Sequence, residues 1–212
     1  MQLIEHYLSL QGEGLRTGKL TYFVRFARCN LRCSWCDSTY TFGKGKPISF
    51  EAIAQAIKKS KAHYVCLTGG EPLLHTKDCI ELIRHFPNLH FDVETSGSIA
   101  IQPVQLKNSS IIMDWKLNHS KMSHKMKQEN FSCLRKNQDL LKFVTDGSKE
   151  EQMEILKIEK KTRKFGFLIS LQPVFGTNPE KCANWLISLK NPRFQFNLQL
   201  HKTIWSPTQT RV

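Results

Sequence analysis

The sequence predicts an α/β fold, a partial (β/α) barrel of about six parallel strands, with an open doubly wound sheet as the second choice. Three observations carry the prediction. Short apolar runs rich in β-branched and aromatic residues alternate with segments of helical period. The repeats stop short of the eight that close a full barrel. The polar, chemically suggestive residues fall just after the apolar runs, at the strand ends that form one ligand-binding rim in parallel sheets.

In chain order, residues 21–27 (Thr-Tyr-Phe-Val-Arg-Phe-Ala) read as the first strand. Ser49 is placed to cap a helix whose Phe50, Ile53, Ala54 and Ile57 recur on one face. Residues 63–68 form the next strand, and Thr76 opens a helix facing inward through Cys79, Ile80, Ile83 and Phe86. Residues 89–94 and 111–114 read as strands. Residues 116–138 are polar and lack a trusted apolar period, so a mobile loop or a solvated helix is expected. A strand at 140–145, a helix at 149–161 and a strand at 167–171 follow. Pro179 suits the first turn of a last helix that buries Cys182, Trp185, Leu186 and Leu189. Phe194, Phe196, Leu198 and Leu200 alternate as a closing strand over 194–200. One domain over residues 1–212 is expected, with no internal repeat.

Composition narrows the class. Of 212 residues, 40% are hydrophobic and 23% charged, which suits a globular protein and argues against disorder. No apolar run approaches the roughly 18–20 residues that span a bilayer, so no membrane role is expected. The stretch Met1-Gln2-Leu3-Ile4-Glu5-His6 lacks the basic and apolar regions of a secretory signal, and a cytoplasmic location is the default. The net charge of +13 raises the question of nucleic acid. The densest basic runs, around Lys121, Lys125 and Lys127 and from Lys157 to Lys164, carry no RNA-binding signature and read as solvated faces. No direct nucleic-acid contact is expected.

Seven cysteines are present. Cys66, Cys79, Cys133 and Cys182 are scattered, mostly in apolar patterns where a free cysteine acts as a small core residue. Cys29, Cys33 and Cys36 instead crowd a polar loop leaving the first strand. Thiolates at these spacings can wrap one metal centre. A structural zinc needs a fourth ligand, and no second paired motif supplies it. A cubane iron–sulfur cluster held by three thiolates leaves one iron open.

The Cys29-x-x-x-Cys33-x-x-Cys36 motif with Trp35 before its last cysteine, and Gly69-Gly70-Glu71-Pro72 after the second strand, resemble the radical S-adenosylmethionine (SAM) superfamily. The resemblance implies a radical SAM-type partial barrel and a [4Fe-4S] cluster whose open iron chelates SAM. Three further segments are similar to the 7-carboxy-7-deazaguanine synthase family: Leu10-Gln11-Gly12-Glu13-Gly14, the run from Val24 to Cys33, and Gln199-Leu200-His201-Lys202. That family contracts 6-carboxy-5,6,7,8-tetrahydropterin to 7-carboxy-7-deazaguanine with loss of ammonia, on the route to queuosine and related 7-deazapurines.

This resemblance implies roles. Leu10, Gln11, Gly12, Glu13, Arg25, Thr68 and Pro207 would bind the pterin, with Arg25 on its carboxylate and Pro207 in a closing tail. Trp35, Cys36, Asp37, Gly70, Glu71, Asp114, Trp115, Lys116, Gln172, Pro173, Val174 and Phe175 would contact SAM. Cys29, Cys33 and Cys36 would hold the cluster, and Ser38 would bind Mg²⁺, unless it is an ordinary loop serine. Relatives often carry Ser-Pro-Lys where this chain has Asp114-Trp115-Lys116. A homodimer follows from resemblance alone. The basic charge suits docking of an acidic, flavodoxin-like electron donor. Two other readings stay open: another small radical SAM enzyme, such as a glycyl-radical activase, and a non-catalytic metal-binding module that interacts with RNA.

Overall fold

The computed structural model describes residues 1–206. Its elements run β1 (Gln2–Leu10), β2 (Leu20–Phe26), β3 (Lys46–Pro47), α1 (Phe50–Ser60), β4 (Tyr64–Gly69), α2 (Thr76–His85), β5 (His90–Thr95) and β6 (Ser109–Asp114). There follow β7 (Leu140–Thr145), α3 (Lys149–Thr162), β8 (Leu168–Pro173), α4 (Pro179–Leu189), β9 (Phe194–Phe196) and α5 (Leu200–Ile204).

The strands form one open sheet in the order β3-β1-β2-β4-β5-β6-β7-β8-β9. From β2 through β9 every neighbouring pair is parallel, the partial barrel expected. The edge differs. β1 pairs antiparallel with β2, and β3 pairs antiparallel with β1. Glu5, His6 and Tyr7 blur the apolar alternation that would mark β1 as a strand.

The helices form where local chemistry directs them. Ser49 accepts a hydrogen bond from the Ala52 amide, and α1 buries Ile53, Ala54 and Ile57. Ser148 caps α3, and Asn178 caps α4 ahead of Pro179 at the first turn. Central strands are apolar toward the helices: Val65, Leu67, Phe91, Val93, Ile111, Leu141, Phe143, Ile169 and Leu171 are all within 1% of full burial.

Two expectations are corrected. Residues 116–138 form neither a mobile loop nor a solvated helix. Three short 3-10 turns carry Leu117, Met126, Phe131 and Leu134 into the core at spacings that match no helical period. The closing strand is shorter than 194–200. Pairing stops at Phe196 because Asn197 and Gln199 turn their side chains to the loop after β1, and Leu200 begins α5. No helix among the described residues is long and apolar enough to cross a membrane.

Candidate active site

A cavity of about 420 Å³ opens inside the barrel. Its wall includes Leu10, Gln11, Gly12, Glu13, Arg25, Cys29, Cys33, Trp35, Cys36, Asp37, Ser38, Thr68, Gly70, Asp114, Lys116, Gln172, Val174 and Phe175. Segments far apart in sequence thus converge, as expected from their place at strand ends.

The cysteine loop leaves β2 beside the loop that leaves β4. A Cβ at Gly69, where φ is +130°, would lie 2.2 Å from the Phe26 carbonyl oxygen. One at Gly70 would lie 2.0 Å from the Arg28 carbonyl oxygen and 2.9 Å from Cys29 Cβ. Only bare backbone lets the two loops touch. Ser34 fastens the far side, its hydroxyl donating to the His119 carbonyl at 2.7 Å. Burial raises the thiol pKa of Cys29 and pushes that of Cys33 up to about 11.

The three sulfurs suit a cluster better than one ion. A tetrahedral zinc with Zn–S bonds of about 2.3 Å needs sulfurs roughly 4 Å apart. Among the described residues the three do not gather within 4.8 Å of one another. They nevertheless face one cavity, as three corners of a larger iron–sulfur cube require.

Three expected contacts, Glu71, Trp115 and Pro173, lie off the cavity wall. Glu71 is fully buried outside the cavity wall. Its carboxylate accepts from Thr95 Oγ1 at 2.7 Å, Ser96 N at 2.9 Å, Ser96 Oγ at 2.6 Å and Leu73 N at 3.1 Å. It therefore clamps the ends of β4 and β5 and has no oxygen to offer a cofactor. Trp115 turns away from the cavity and stacks on Phe131 at 4.2 Å between ring centroids. Pro173 is buried at the end of β8, while its neighbours Gln172 and Val174 line the wall. Pro207 lies outside the described residues.

The same cavity holds a buried charge network, whose Lys116 acts on the Cys29 and Cys33 thiols. Lys142, on β7, approaches Glu13 at 2.8 Å and both Glu94 and Asp114 at 3.5 Å. Lys116 pairs with Asp114 at 2.9 Å. Burial disfavours the charge on Lys142, yet the three carboxylates hold its pKa well above the ordinary lysine value. Burial also opposes ionisation of Glu13, but Lys142 and Gln199 bring its pKa well below the usual carboxylate range. Glu94 is pushed up to about 7, chiefly by burial, against the pull of Lys142.

Glu94, expected at the strand-end rim but without a role, and Lys142, which the sequence does not single out, both line the site. The available signal was a lysine amid Leu140-Leu141-x-Phe143-Val144, where a central strand should be apolar. Tyr7, Gln199, His201 and Lys202 also line the cavity. His201 packs so closely that a Cβ at Gly12 would meet its Nδ1 at 2.1 Å.

Arg25 lies in the wall with its Nε donating to Glu5 at 2.9 Å and Nη2 to Tyr7 Oη at 3.2 Å. Asp37 binds Lys202 at 2.6 Å and accepts from Ser38 Oγ at 2.9 Å. These partners, with Gln199, hold its pKa far below the normal aspartate value. Gln11 Nε2, Asp114 Oδ1 and Gln172 Oε1 are buried without a hydrogen-bond partner among the described residues. All three side chains face the cavity, so a polar ligand would relieve the cost of leaving them unpaired.

Residues 23–106 match the radical SAM superfamily. The chain is 34% identical to the 7-carboxy-7-deazaguanine synthase of Clostridium acetobutylicum, covering 100% of this chain and 99% of the relative. The chain belongs to the 7-carboxy-7-deazaguanine synthase family. The synthase of Methanospirillum hungatei is 34% identical over 98% of this chain and 86% of its own length. QueE from Escherichia coli superposes with a TM-score of 0.76 over 94% of both chains at 20% identity, which speaks for the fold. The cofactors of this radical SAM family are a [4Fe-4S] cluster, SAM and Mg²⁺.

Proposed function

We propose that this protein is a 7-carboxy-7-deazaguanine synthase, contracting 6-carboxy-5,6,7,8-tetrahydropterin to 7-carboxy-7-deazaguanine with loss of ammonia, in 7-deazapurine and queuosine biosynthesis. The observation that carries the reading is the union in one cavity of the cysteine loop with Arg25 and the Gln11–Glu13 segment. A glycyl-radical activase needs the former and gives no reason for the latter. A non-catalytic metal module gives no reason for either the cavity or its unpaired polar groups.

Cys29, Cys33 and Cys36 would hold the cluster. Bound SAM supplies a 5′-deoxyadenosyl radical for hydrogen abstraction, and the protein's part is to position and enclose. Trp35, Asp37, Gly70, Asp114, Lys116, Gln172, Val174 and Phe175 form the wall assigned to SAM. Arg25, held flat by Glu5 and Tyr7, presents its charge to the substrate carboxylate. Leu10, Gln11, Gly12 and Thr68 meet the ring, and Glu13 and Glu94 offer acceptors to its N–H groups. Ser38 would hold Mg²⁺. Its proton points to Asp37, which leaves the lone pairs of Oγ for a hard cation.

One domain over residues 1–212 would act as a homodimer in the reducing cytoplasm, which suits seven free thiols. The net charge of +13 favours an acidic, flavodoxin-like donor over direct nucleic-acid binding. Reduction by such a donor should slow with rising ionic strength.

Anaerobic turnover with SAM, dithionite, Mg²⁺ and the carboxypterin should yield the deazapurine by mass. Absence of product from fully cluster-loaded protein would refute the reading. Ser38→Ala should weaken Mg²⁺ dependence while iron content stays unchanged, and an unaltered Mg²⁺ response would remove Ser38 from that role.

A further inference from the structure

Beneath the cavity, one guanidinium enters the barrel from the loop that follows β1. Arg16 ends the short turn Gly14–Arg16. Its Nη1 donates to Asp92 Oδ1 at 2.5 Å, and its Nη2 donates to His90 Nε2 at 2.8 Å and to Ser110 Oγ at 3.4 Å. The guanidinium carbon also lies 5.6 Å from the centroid of the Tyr64 ring. These partners sit on β4, β5 and β6, so one side chain ties three adjacent strands to a single loop.

The partners are suited to holding a cation and little else. Asp92 is 2% exposed, and a buried carboxylate with no other ion-pair partner of this strength is costly to strand. Arginine can only donate, so His90 Nε2 accepts and the imidazole is neutral with its proton on Nδ1. The planar fork spans carboxylate, imidazole and hydroxyl at once, which a lysine could not do.

The loop that Arg16 anchors is the cavity floor. Gln11, Gly12 and Glu13 line the cavity, three to five residues ahead of the anchor. Side chains of alternate residues share one face of a strand, so Asp92 lies beneath Glu94, which is part of the cavity wall. On the other side Asn197 Nδ2 donates to the Gly14 carbonyl at 3.1 Å. The floor is thus pinned from below and from the carboxyl-terminal side, with Glu13 held 2.8 Å from Lys142.

We infer that Arg16 is a positioning residue for the substrate: without touching it, Arg16 fixes the height and rigidity of the Gln11–Glu13 floor against which the pterin lies. The inference rests on the proposed function for the identity of the ligand, but the anchoring itself does not. Arg16→Met keeps an apolar stem and loses the fork. Loss of the anchor should speed exchange of the loop's bonded amides, Gln11, Gly18 and Lys19, by roughly tenfold more than at the central strands. KM for the carboxypterin should rise by about tenfold while kcat stays within about twofold, the signature of lost ground-state positioning. The electron paramagnetic resonance spectrum of the reduced, SAM-bound cluster should be unchanged, because the partners of Arg16 are Tyr64, His90, Asp92 and Ser110 and none belongs to the cysteine loop. Arg16→Lys should recover part of the KM.

Wild-type exchange rates at Gln11, Gly18 and Lys19 in Arg16→Met would overturn the inference, as would a fall in kcat with KM unmoved. If Arg16→Met does not fold, Asp92→Asn tests the same anchor with shape preserved: faster exchange at Gln11, Gly18 and Lys19 supports it, and wild-type rates overturn it. A wild-type enzyme that ignores the carboxypterin would refute the proposed function, while the exchange measurement would still decide the anchor.

Discussion

At one end of the barrel interior, three cysteines from a single eight-residue stretch supply the metal-binding groups. In the same cavity, Glu13, Glu94, Asp114, Lys116 and Lys142 arrive from separate segments and meet within 2.8–3.5 Å. The first set is close in sequence and rests in a loop, while the second exists only when the sheet is formed. Chemistry and stability are accordingly separable at the cysteine end and joined at the floor. A thiol can be lost without breaking the core, but a floor charge cannot be lost without stranding another.

The largest effect expected of this contrast comes from Cys33→Ala. Turnover should vanish and bound iron should fall well below the four per cube, while the thermal midpoint of the apoprotein stays close to wild type. A large drop in that midpoint would show the loop to be part of the folding core. Lys142→Met should do the reverse. It leaves three carboxylates around a missing cation, at a cost of about 3–5 kcal/mol, and retains the capacity to bind four irons. Denaturant titration and iron analysis on the same sample test both halves, and undiminished stability would break the comparison.

A smaller effect lies in pH dependence. Burial raises the pKa of Glu94 from 4.5 to about 7, so the folded chain holds a proton there that the unfolded chain releases. Its contribution is therefore most favourable below about pH 4.5 and is lost as pH rises toward 7. Asp92, also raised by burial to about 7, contributes in the same direction. Glu94→Gln should make the decline in stability between pH 5 and pH 7 shallower without abolishing it. Denaturation curves at the two pH values check this, and an unchanged slope would show that Glu94 ionises normally.

The same division governs what could be read before the structure. The Ser49 cap and the face of α1 are written in neighbouring residues, and the structure follows them, whereas on α2 Leu82 is fully buried where the period points to Ile80. Lys142 was overlooked because its partners lie on β5, β6 and the loop after β1, so nothing beside it in sequence explains a charge in an apolar run. Glu71 resembles a cofactor contact by motif, yet the hydroxyls and amides that saturate it come from Thr95 and Ser96, a strand away. Residues 194–200 carry a strand's alternation, but Asn197 and Gln199 are claimed by the floor, and tertiary bonding overrides local pattern. Residues 116–138 pack without a period, and periodicity is the signal on which such readings depend.

The contact between Gly12 and His201 also bears on the order of assembly. Gln199 meets Glu13 across 186 residues of chain, and the Leu200 amide donates to the Gly12 carbonyl at 3.0 Å. Closing so long a loop gains nothing until its final residues are available. Gln199 and Lys202 also bond Asp37 of the cysteine loop, so on the ribosome one late-emerging segment finishes both the metal-binding loop and the substrate chamber.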